Sequence, residues 1–420
     1  MTVSSLDDYF EEVRKEALSE CSKCGLCYQR CSLKGHISQD CLPGEAQDKV
    51  LAFLKEGIED PVVYERSFSC LQCFKCVNNG CPQGIIPLHV NEIIKWDYRR
   101  KGSKIIKYND PADKKSPQRI LASIQIPPED YRRITDKTEK KQTKHVFFPG
   151  CNVYEQPDKI LSAIDILALI TEDFAFLPGL DFCCGSEHLF NGDVEQAQRA
   201  MERLVRELKA YEPESVIVWC PTCLCRFDTT IAKIFDLPFK VVAYPQFIAE
   251  NIGKLEIKKP INKTLTLHEA CKSAFTKLDL SGTRAILQSM PGVRMVEMER
   301  HAETAVCCGL GALNYAQEIT EYMRDDRLKE AGETNAEILI DVCHACHKLF
   351  SGVEDSYNYE IINYVSLLAQ ALGIAREDKF KKYIQFHDLK KILGAAETNI
   401  AESPYSREEI VKAIKDTISK

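Results

Sequence analysis

Hydrophobic positions recur along the chain with two different periods, which divide it into a helical front part and a mixed α/β remainder. Residues 5–20, 46–56 and 88–101 have the apolar spacing of amphipathic helices, and Ser5 stands where an N-cap is expected. From residue 145 onward, short apolar runs typical of buried strands alternate with longer helical segments. The predicted order is strand 145–148, helix 158–170, helix 193–210 and strand 215–219, then strand 264–267, helix 281–290, helix 314–331 and strand 336–342. The pattern predicts an α/β fold: short parallel sheets behind an N-terminal all-α domain.

The segment 102–144 differs from both parts. It holds four prolines and many lysines and arginines, which is typical of a connection that wraps over the surface. Residues 377–420 regain helical spacing with mixed charge, which predicts a capping or docking tail. The predicted units are a helical domain 1–101, a connecting segment 102–144, two α/β domains 145–258 and 259–376, and a helical tail 377–420.

Ten of the twenty cysteines form two copies of one five-thiol pattern. The copies are Cys151, Cys183, Cys184, Cys220 and Cys223, and then Cys271, Cys307, Cys308, Cys343 and Cys346. Each copy follows the ends of predicted strands, so an internal duplication would place its thiols at the carboxyl edge of a parallel sheet. Adjacent cysteines cannot both point into one corner of a cubane, and five ligands exceed its need. The pattern therefore favours an opened, non-cubane iron–sulfur cluster.

The other large group of cysteines consists of two runs near the N-terminus. Their members are Cys21, Cys24, Cys27 and Cys31, and then Cys70, Cys73, Cys76 and Cys81. Both runs have the spacing of the bacterial ferredoxin motif, although Ser32 stands where the first run would have proline. In that motif the fourth cysteine ligates the other cluster. The rule assigns Cys21, Cys24, Cys27 and Cys81 to one 4Fe-4S cluster, and Cys70, Cys73, Cys76 and Cys31 to a second.

Zinc and disulfide bonds are the alternatives for so many cysteines. A structural zinc site closes with four ligands in two pairs and has no use for the third thiol of a C-x2-C-x2-C run. The chain opens with MTVSSLDDYFEEVRKE, which is no apolar signal segment, so we expect a cytoplasmic location where dense cysteine indicates metal. The net charge of −7 argues against nucleic acid. No apolar run approaches the ~18 residues that span a bilayer, so we expect a membrane link only through a partner.

The motifs around these cysteines resemble a known family. Both five-thiol sets are similar to the two CCG motifs of heterodisulfide reductase. The first set contains FFPGC ending at Cys151, CCG ending at Gly185 and CPTC ending at Cys223, and the second contains HEAC, CCG and CHAC. The N-terminal runs resemble that enzyme's small ferredoxin-like subunit, fused in front. The fused order resembles the catalytic subunit of the membrane-linked enzyme. It also occurs in the iron–sulfur subunits of glycolate oxidase and anaerobic glycerol-3-phosphate dehydrogenase.

The resemblance implies two cubane 4Fe-4S clusters and two non-cubane 4Fe-4S clusters, one for each CCG motif, with a disulfide substrate between the latter. Two functions stay open: reduction of a disulfide, or relay of electrons for a flavin-dependent 2-hydroxyacid or glycerol-3-phosphate dehydrogenase. Either needs a flavoprotein or another electron-donating subunit, because no flavin fingerprint stands in the sequence and Gly309-Leu310-Gly311 lacks the third glycine.

Several other residues near the motifs are candidates for chemistry. The predicted catalytic residues are Cys183, Cys184, Cys307 and Cys308, with His268 and His344 as proton donors. Four histidines lie near ligands, and packing is the alternative for each: His188, His268, His344 and His347. Lys272 and Arg226 either attract an anionic substrate or are solvated. Cys41 and Cys225 are left over, and we expect free buried thiols at both.

Overall fold

The computed structural model describes residues 5–36, 41–77, 81–102, 108–139, 142–313 and 315–418. All twenty cysteines lie within these ranges, and no disulfide bond joins any of them. The predicted fold class is confirmed, because an all-α front part precedes two units that each contain a short parallel sheet.

Five helices form the N-terminal part of the chain. They are α1 (Leu6–Glu20), α2 (Leu26–Gln29), α3 (Pro43–Glu56), α4 (Pro61–Phe68) and α5 (Pro87–Arg100). The Asp8 backbone N–H donates to the Ser5 hydroxyl at 3.1 Å, which confirms the predicted N-cap of α1. The three predicted helices are present, and α2 and α4 are too short to give a clear sequence period.

The described part of the segment 102–144 is only in part the surface connection that its composition predicts. It contains α6 (Pro117–Ser123) and α7 (Pro128–Thr135). A proline stands at the first turn of each helix, where it favours helix formation rather than breaking it. Leu121, Ile124 and Ile134 are fully buried. The prediction of a surface path is therefore wrong for α6, whereas Ile134 is the only buried residue of α7.

Two α/β units follow, and they repeat the same order of elements. The first contains β1 (His145–Phe148), α8 (Pro157–Ile170), β2 (Phe174–Phe176), α9 (Ser186–Phe190), α10 (Val194–Lys209), β3 (Ser215–Val218), α11 (Pro221–Arg226), α12 (Ala232–Ile234), β4 (Lys240–Ala243) and α13 (Tyr244–Glu250). The second contains β5 (Lys263–His268), α14 (Cys271–Thr276), α15 (Gly282–Ser289), β6 (Val293–Met295), α16 (Gln317–Glu333), β7 (Ile338–Asp341), α17 (His344–Ser351), β8 (Glu360–Asn363) and α18 (Tyr364–Leu372). The four predicted strands are confirmed as the central pair of each sheet.

The two sheets have the same topology. Their strand orders are β2-β1-β3-β4 and β6-β5-β7-β8, and every pairing is parallel. Equivalent strands occupy equivalent places, as the sequence duplication predicts. Parallel strands bring all their carboxyl ends to one edge, so the segments after β1 and β3 meet, as do those after β5 and β7.

The two units pack on each other reciprocally. α13 of the first packs on α15 of the second, and α18 of the second packs on the equivalent helix α8 of the first. α11 contacts α14, while α17 contacts the 3-10 turn Asn152–Glu155 that follows β1. Each contact therefore occurs twice, as in a pair related by a two-fold axis.

The N-terminal helices share their core with the first α/β unit. Ile93, Ile94 and Trp96 of α5 belong to the same buried cluster as Phe147 of β1. The front part of the chain is thus held against the sheet by apolar packing over a continuous core.

The C-terminal residues form three more helices. They are α19 (Lys379–Phe386), α20 (Leu389–Glu402) and α21 (Arg407–Thr417). Phe380, Ile392 and Ile410 pack with Leu121 of α6 in a separate buried cluster, so the tail packs on the connecting helices, and its capping or docking role stays a prediction. No helix in the described ranges combines the length and apolar character needed to cross a membrane.

Candidate functional site

Four cysteines of the two units stand directly after the central strands. Cys151 follows β1 and Cys271 follows β5, whereas Cys220 and Cys343 are the N-cap residues of α11 and α17. The helix N-terminus directs backbone N–H groups at each of these thiols, as the Thr222 and Ala345 N–H groups show. The carboxyl edge of the sheet and the N-termini of the following helices therefore place these thiols in one region of each unit.

Glycines allow the backbone to approach these thiols closely. Gly150 has a φ of 89°, and a Cβ there would lie 2.8 Å from the Cys220 Cβ. Gly185 and Gly309, the glycines of the two CCG motifs, have φ values of 79° and 92° and pack against α10 and α16. Their backbone N–H groups donate to Cys183 Sγ at 3.4 Å and to Cys307 Sγ at 3.5 Å. A side chain at these positions would disturb both the turn and the thiol set.

In the first unit the five thiols form a continuous chain of contacts. Cys183 lies within hydrogen-bonding reach of Cys151 and Cys184, and Cys223 lies within reach of Cys184 and Cys220; each has one S–H and donates to one partner at a time. The bonds from Cys183 and Cys223 hold the pKa of the Cys184 thiol well below its usual value. A bond from Cys223 to Cys220 instead lowers the pKa of Cys220. Thiolates, the form that binds metal, are thus favoured inside a buried set.

The second unit repeats this electrostatic pattern at the equivalent positions. Cys307 and Cys346 donate hydrogen bonds that lower the pKa of the Cys308 thiol to about 5. A bond from Cys346 to Cys343 instead lowers the pKa of Cys343. The second cysteine of the adjacent pair and the first of the C-x2-C pair are therefore the favoured thiolates in both units.

The two five-thiol sets meet where the units contact each other. Negative charge on Cys220 opposes ionisation of the Cys343 thiol across this interface. The His344 ring lies 6.1 Å from the Trp219 ring, and the Gln156 side chain donates to the His344 carbonyl at 2.8 Å. The carboxyl ends of β3 and β7 are thus neighbours across the interface.

The eight N-terminal thiols line two adjoining cavities. The first is lined by Cys21, Cys24, Cys27 and Cys81, and the second by Cys31, Cys70, Cys73 and Cys76. These are the groups that the ferredoxin rule assigns. Cys27 and the Arg66 side chain line both cavities. The fourth cysteine of each run therefore lies with the other run.

The second of these cavities adjoins the second α/β unit. Cys73 and Leu71 pack in one buried cluster with Cys307 and Phe275. Burial raises the pKa of the Cys73 thiol to about 11, and the neighbouring Cys271 adds to this rise. A continuous series of thiol groups thus leads from Cys24, which is exposed, to the interface between the units.

These thiol sets fit iron–sulfur clusters. Among the described side chains, no group of three or more His, Cys, Asp or Glu surrounds a single-ion position. The predicted ligands are all thiols, the donor that iron–sulfur clusters take, and they form four separate groups. Each N-terminal group offers four thiols and each later group offers five.

The two predicted catalytic histidines are buried at the ends of β5 and β7. Arg327 Nε donates to His268 Nδ1 at 3.0 Å, and burial, followed by this arginine, lowers the pKa of His268 well below its usual value. Burial, and then Lys348, lowers the pKa of His344 to about 3. His268 Nε2 and His344 Nδ1 have no hydrogen-bond partner within the described part of the chain. Proton donation by either ring stays a prediction.

His188 and His347 make structural contacts that agree with packing roles. The Tyr108 hydroxyl hydrogen-bonds to His188 Nδ1 at 2.6 Å. His347 bridges two carboxylates, because its Nδ1 lies 2.7 Å from Asp341 and its Nε2 lies 2.7 Å from Asp378. His347 thereby ties the second unit to the start of the tail.

His347 should make stability depend on pH. Burial and Lys159 oppose its positive charge, but Asp341 and Asp378 outweigh them and raise the pKa of His347 to about 9. Because its pKa is raised on folding, His347 stabilises the fold fully below about pH 6.5. This stabilisation is lost as the pH rises through 9, and the free energy of unfolding falls by about 3 kcal/mol. Unfolding measured at matched iron content from pH 6.5 to 9.5 should show the loss. His347→Gln should flatten the profile, and an unchanged slope in that variant would contradict the assignment.

Four further residues were singled out by the sequence. Arg226 is fully buried and pairs with Glu92 at 2.7 Å, so neither substrate attraction nor solvation describes it. Lys272 is half-buried beside Cys271, and its attraction of an anionic substrate stays a prediction. Cys225 is buried and donates to Thr276 Oγ1 at 3.7 Å, as expected. Cys41 is only half-buried, so the expectation of burial is wrong there.

Three polar residues beside the thiols are not among the candidates that the sequence pattern indicates. Arg66 Nη2 donates to Cys27 Sγ at 3.1 Å, and Gln47 Nε2 lies 3.8 Å from Cys21 Sγ. Lys95 is buried with its Nζ 4.3 Å from the centre of the Phe190 ring. Helical spacing offers a signal for Arg66, because it places this residue on the apolar face of α4 with Val62.

Comparison with known proteins agrees with the geometry of the site. The cysteine-rich CCG domain model matches residues 145–228 and 265–351. The chain is 29% identical over 401 residues to a subunit of the dihydromethanophenazine:CoB–CoM heterodisulfide reductase of Methanosarcina barkeri, covering 85% of this chain and 95% of that protein. It is 24% identical over 341 residues to the probable iron-sulfur-binding oxidoreductase FadF of Bacillus subtilis, covering 75% of this chain and 48% of that one. It is 23% identical over 214 residues to lactate utilization protein A 1 of Bacillus mycoides, covering 48% and 84%. The predicted family resemblance is confirmed.

Proposed function

We propose that this chain, an iron–sulfur oxidoreductase subunit with two CCG domains and related to heterodisulfide reductase, carries the site at which a disulfide is reduced. The N-terminal thiols bind two cubane 4Fe-4S clusters in the groups that line the two cavities. Each five-thiol CCG set binds one non-cubane 4Fe-4S cluster. A flavoprotein or another electron-donating subunit supplies electrons, and the cytoplasm is the proposed location.

One observation supports this proposal most strongly: the two complete five-thiol sets adjoin the same interface, where the ring of Trp219, next to Cys220, lies 6.1 Å from the ring of His344, next to Cys343. A disulfide takes up two electrons and two protons to give two thiols, whereas an iron–sulfur cluster supplies one electron at a time. Two sets in contact can hold both sulfur atoms of one substrate, so neither half leaves before the second electron arrives. A ferredoxin-type donor near −400 mV and a disulfide near −200 mV differ by about 200 mV, which is about 9 kcal/mol for two electrons.

A relay for a dehydrogenase is the second candidate, and the similarity to lactate utilization protein A 1 favours it. In a relay the CCG thiols would pass electrons onward without contacting a disulfide. The distinction lies in whether the interface between the units accepts a substrate sulfur.

Disulfide cleavage by the chain alone tests the proposal. The anaerobically purified protein is reduced chemically, freed of reductant and mixed with small disulfides, and released thiols are counted. We expect two thiols for each disulfide consumed, and a loss of at least tenfold in rate for Cys183→Ala and Cys307→Ala, because each variant removes a ligand.

Cys225→Ser provides the matched control, since this buried thiol lies near the same interface but outside the ligand sets. It should keep the wild-type rate. A fully loaded wild-type chain that consumes no disulfide, yet is reoxidised by a dehydrogenase's electron acceptor, would favour the relay.

A further inference from the structure

Arg66 carries a buried positive charge between the two N-terminal thiol groups. Its side chain is 7% exposed and lines both cavities. Nη2 donates to Cys27 Sγ at 3.1 Å, and the guanidinium lies 5.4 Å from the centre of the Tyr28 ring. Within the described ranges no carboxylate pairs with Arg66, unlike Arg226 with Glu92. Because an unpaired buried charge is costly, the neighbouring thiolates are its electrostatic partners.

Gln47 links this arginine to a second thiol of the same group. Arg66 Nη1 donates to Gln47 Oε1, and Gln47 Nε2 is 3.8 Å from Cys21 Sγ. Both residues are buried and come from different helices, α3 and α4. The guanidinium is thus fixed in place by contacts on two sides, so its charge has a defined position relative to both cavities.

We propose that Arg66 is a positioning residue whose fixed charge raises the reduction potentials of both clusters bound by the N-terminal thiols. The inference rests on the proposed function, because it requires clusters at these sites. Reduction adds negative charge, and a buried cation stabilises the reduced state more strongly in a low-dielectric interior than in water. The group containing Cys27 should respond more, because the arginine donates directly to its sulfur.

Redox titration of matched variants tests this proposal. Low-temperature paramagnetic resonance at a series of potentials gives the midpoint of each cubane cluster, and the signals from the CCG sets serve as an internal reference. Arg66→Gln removes the charge and should lower the midpoint potentials of both cubane clusters. For the cluster of the Cys27 group, the equilibrium constant for one-electron reduction should fall at least tenfold, which corresponds to a midpoint shift of 59 mV. Arg66→Lys keeps the charge and should lower them less. Arg119→Gln is the control, because this buried arginine pairs with Asp181 at 2.6 Å and does not line either cavity.

A second variant covers the case in which Arg66→Gln fails to bind its full iron. Gln47→Glu keeps the shape of the side chain but places a carboxylate against the guanidinium, so it should also lower both midpoints. Unchanged midpoints at full iron content in Arg66→Gln, or in Gln47→Glu if the first variant is iron-poor, would overturn the inference. An equal fall in Arg66→Lys and Arg66→Gln would overturn it too, since charge would then not be the cause. A wild-type chain without cubane signals would instead contradict the proposed function.

Discussion

Replacing Arg226 by methionine is expected to lower the free energy of unfolding by about 3–5 kcal/mol, because it leaves the Glu92 carboxylate buried without its partner. The side chains of Arg226 and Glu92 are each 1% exposed. Arg226 Nη2 lies 2.7 Å from one carboxylate oxygen and Nη1 lies 3.2 Å from the other. Arg226 Nε also donates to Ser186 Oγ at 3.0 Å and Nη1 donates to Thr230 Oγ1 at 3.2 Å, so the substitution removes these two hydrogen bonds as well. Since Glu92 belongs to α5 and Arg226 to α11, the pair joins the N-terminal helices to the first α/β unit. Thermal unfolding followed by circular dichroism, at matched iron content, measures the effect.

The double variant Arg226→Met with Glu92→Met distinguishes a buried-charge effect from simple loss of packing. Replacement of a whole buried ion pair by apolar side chains is often neutral or stabilising, so the double variant should recover most of the loss. A single variant within about 0.5 kcal/mol of the wild type, or a double variant as unstable as the single one, would refute this role for the pair.

Iron analysis should give about sixteen iron atoms per chain in anaerobically prepared protein, because four thiol groups each have the ligands for a four-iron cluster. Cys184→Ser and Cys308→Ser should each lower the content to about twelve, and the double variant to about eight. These two thiols accept hydrogen bonds from both neighbours in their sets, so no other thiol takes their place.

Cys225→Ser is again the matched control and should keep the full iron content. Its thiol is buried near Cys271 but bonds to Thr276. A wild-type value near eight, or stoichiometric zinc, would show that the five-thiol sets do not each hold a cluster.

The sequence was most informative where chemistry and spacing coincide. The order of the thiols predicts which of them the fold brings together, because the ends of parallel strands and the ferredoxin-type turns are local features. The four central strands follow from short apolar runs, whereas the edge strands β2 and β6 have only three residues each and give no usable period.

The rest depends on tertiary contacts that no local pattern contains. A proline such as Pro117 or Pro128 occurs both in loops and at the first turn of a helix, so composition does not distinguish the two. Here the helix around Leu121 is stabilised by packing against the C-terminal tail. Arg226 is indistinguishable from a solvated arginine until α5 surrounds it. Helical spacing places Arg66 on a buried face but does not show the thiols that it contacts. Buried charges are paired across large sequence separations, which one sequence without its fold does not disclose.

Binding of a substrate sulfur between the CCG sets is the central claim, and paramagnetic resonance with isotope-labelled thiol tests it most directly. The oxidised protein, anaerobic and with full iron content, is incubated with a panel of small dithiols and coenzyme thiols, each with and without sulfur-33. We predict a new signal that sulfur-33 broadens, that Cys183→Ala or Cys307→Ala abolishes and that Cys225→Ser retains. No thiol-dependent signal across the whole panel, with all four clusters present, would contradict the claim and favour an electron relay.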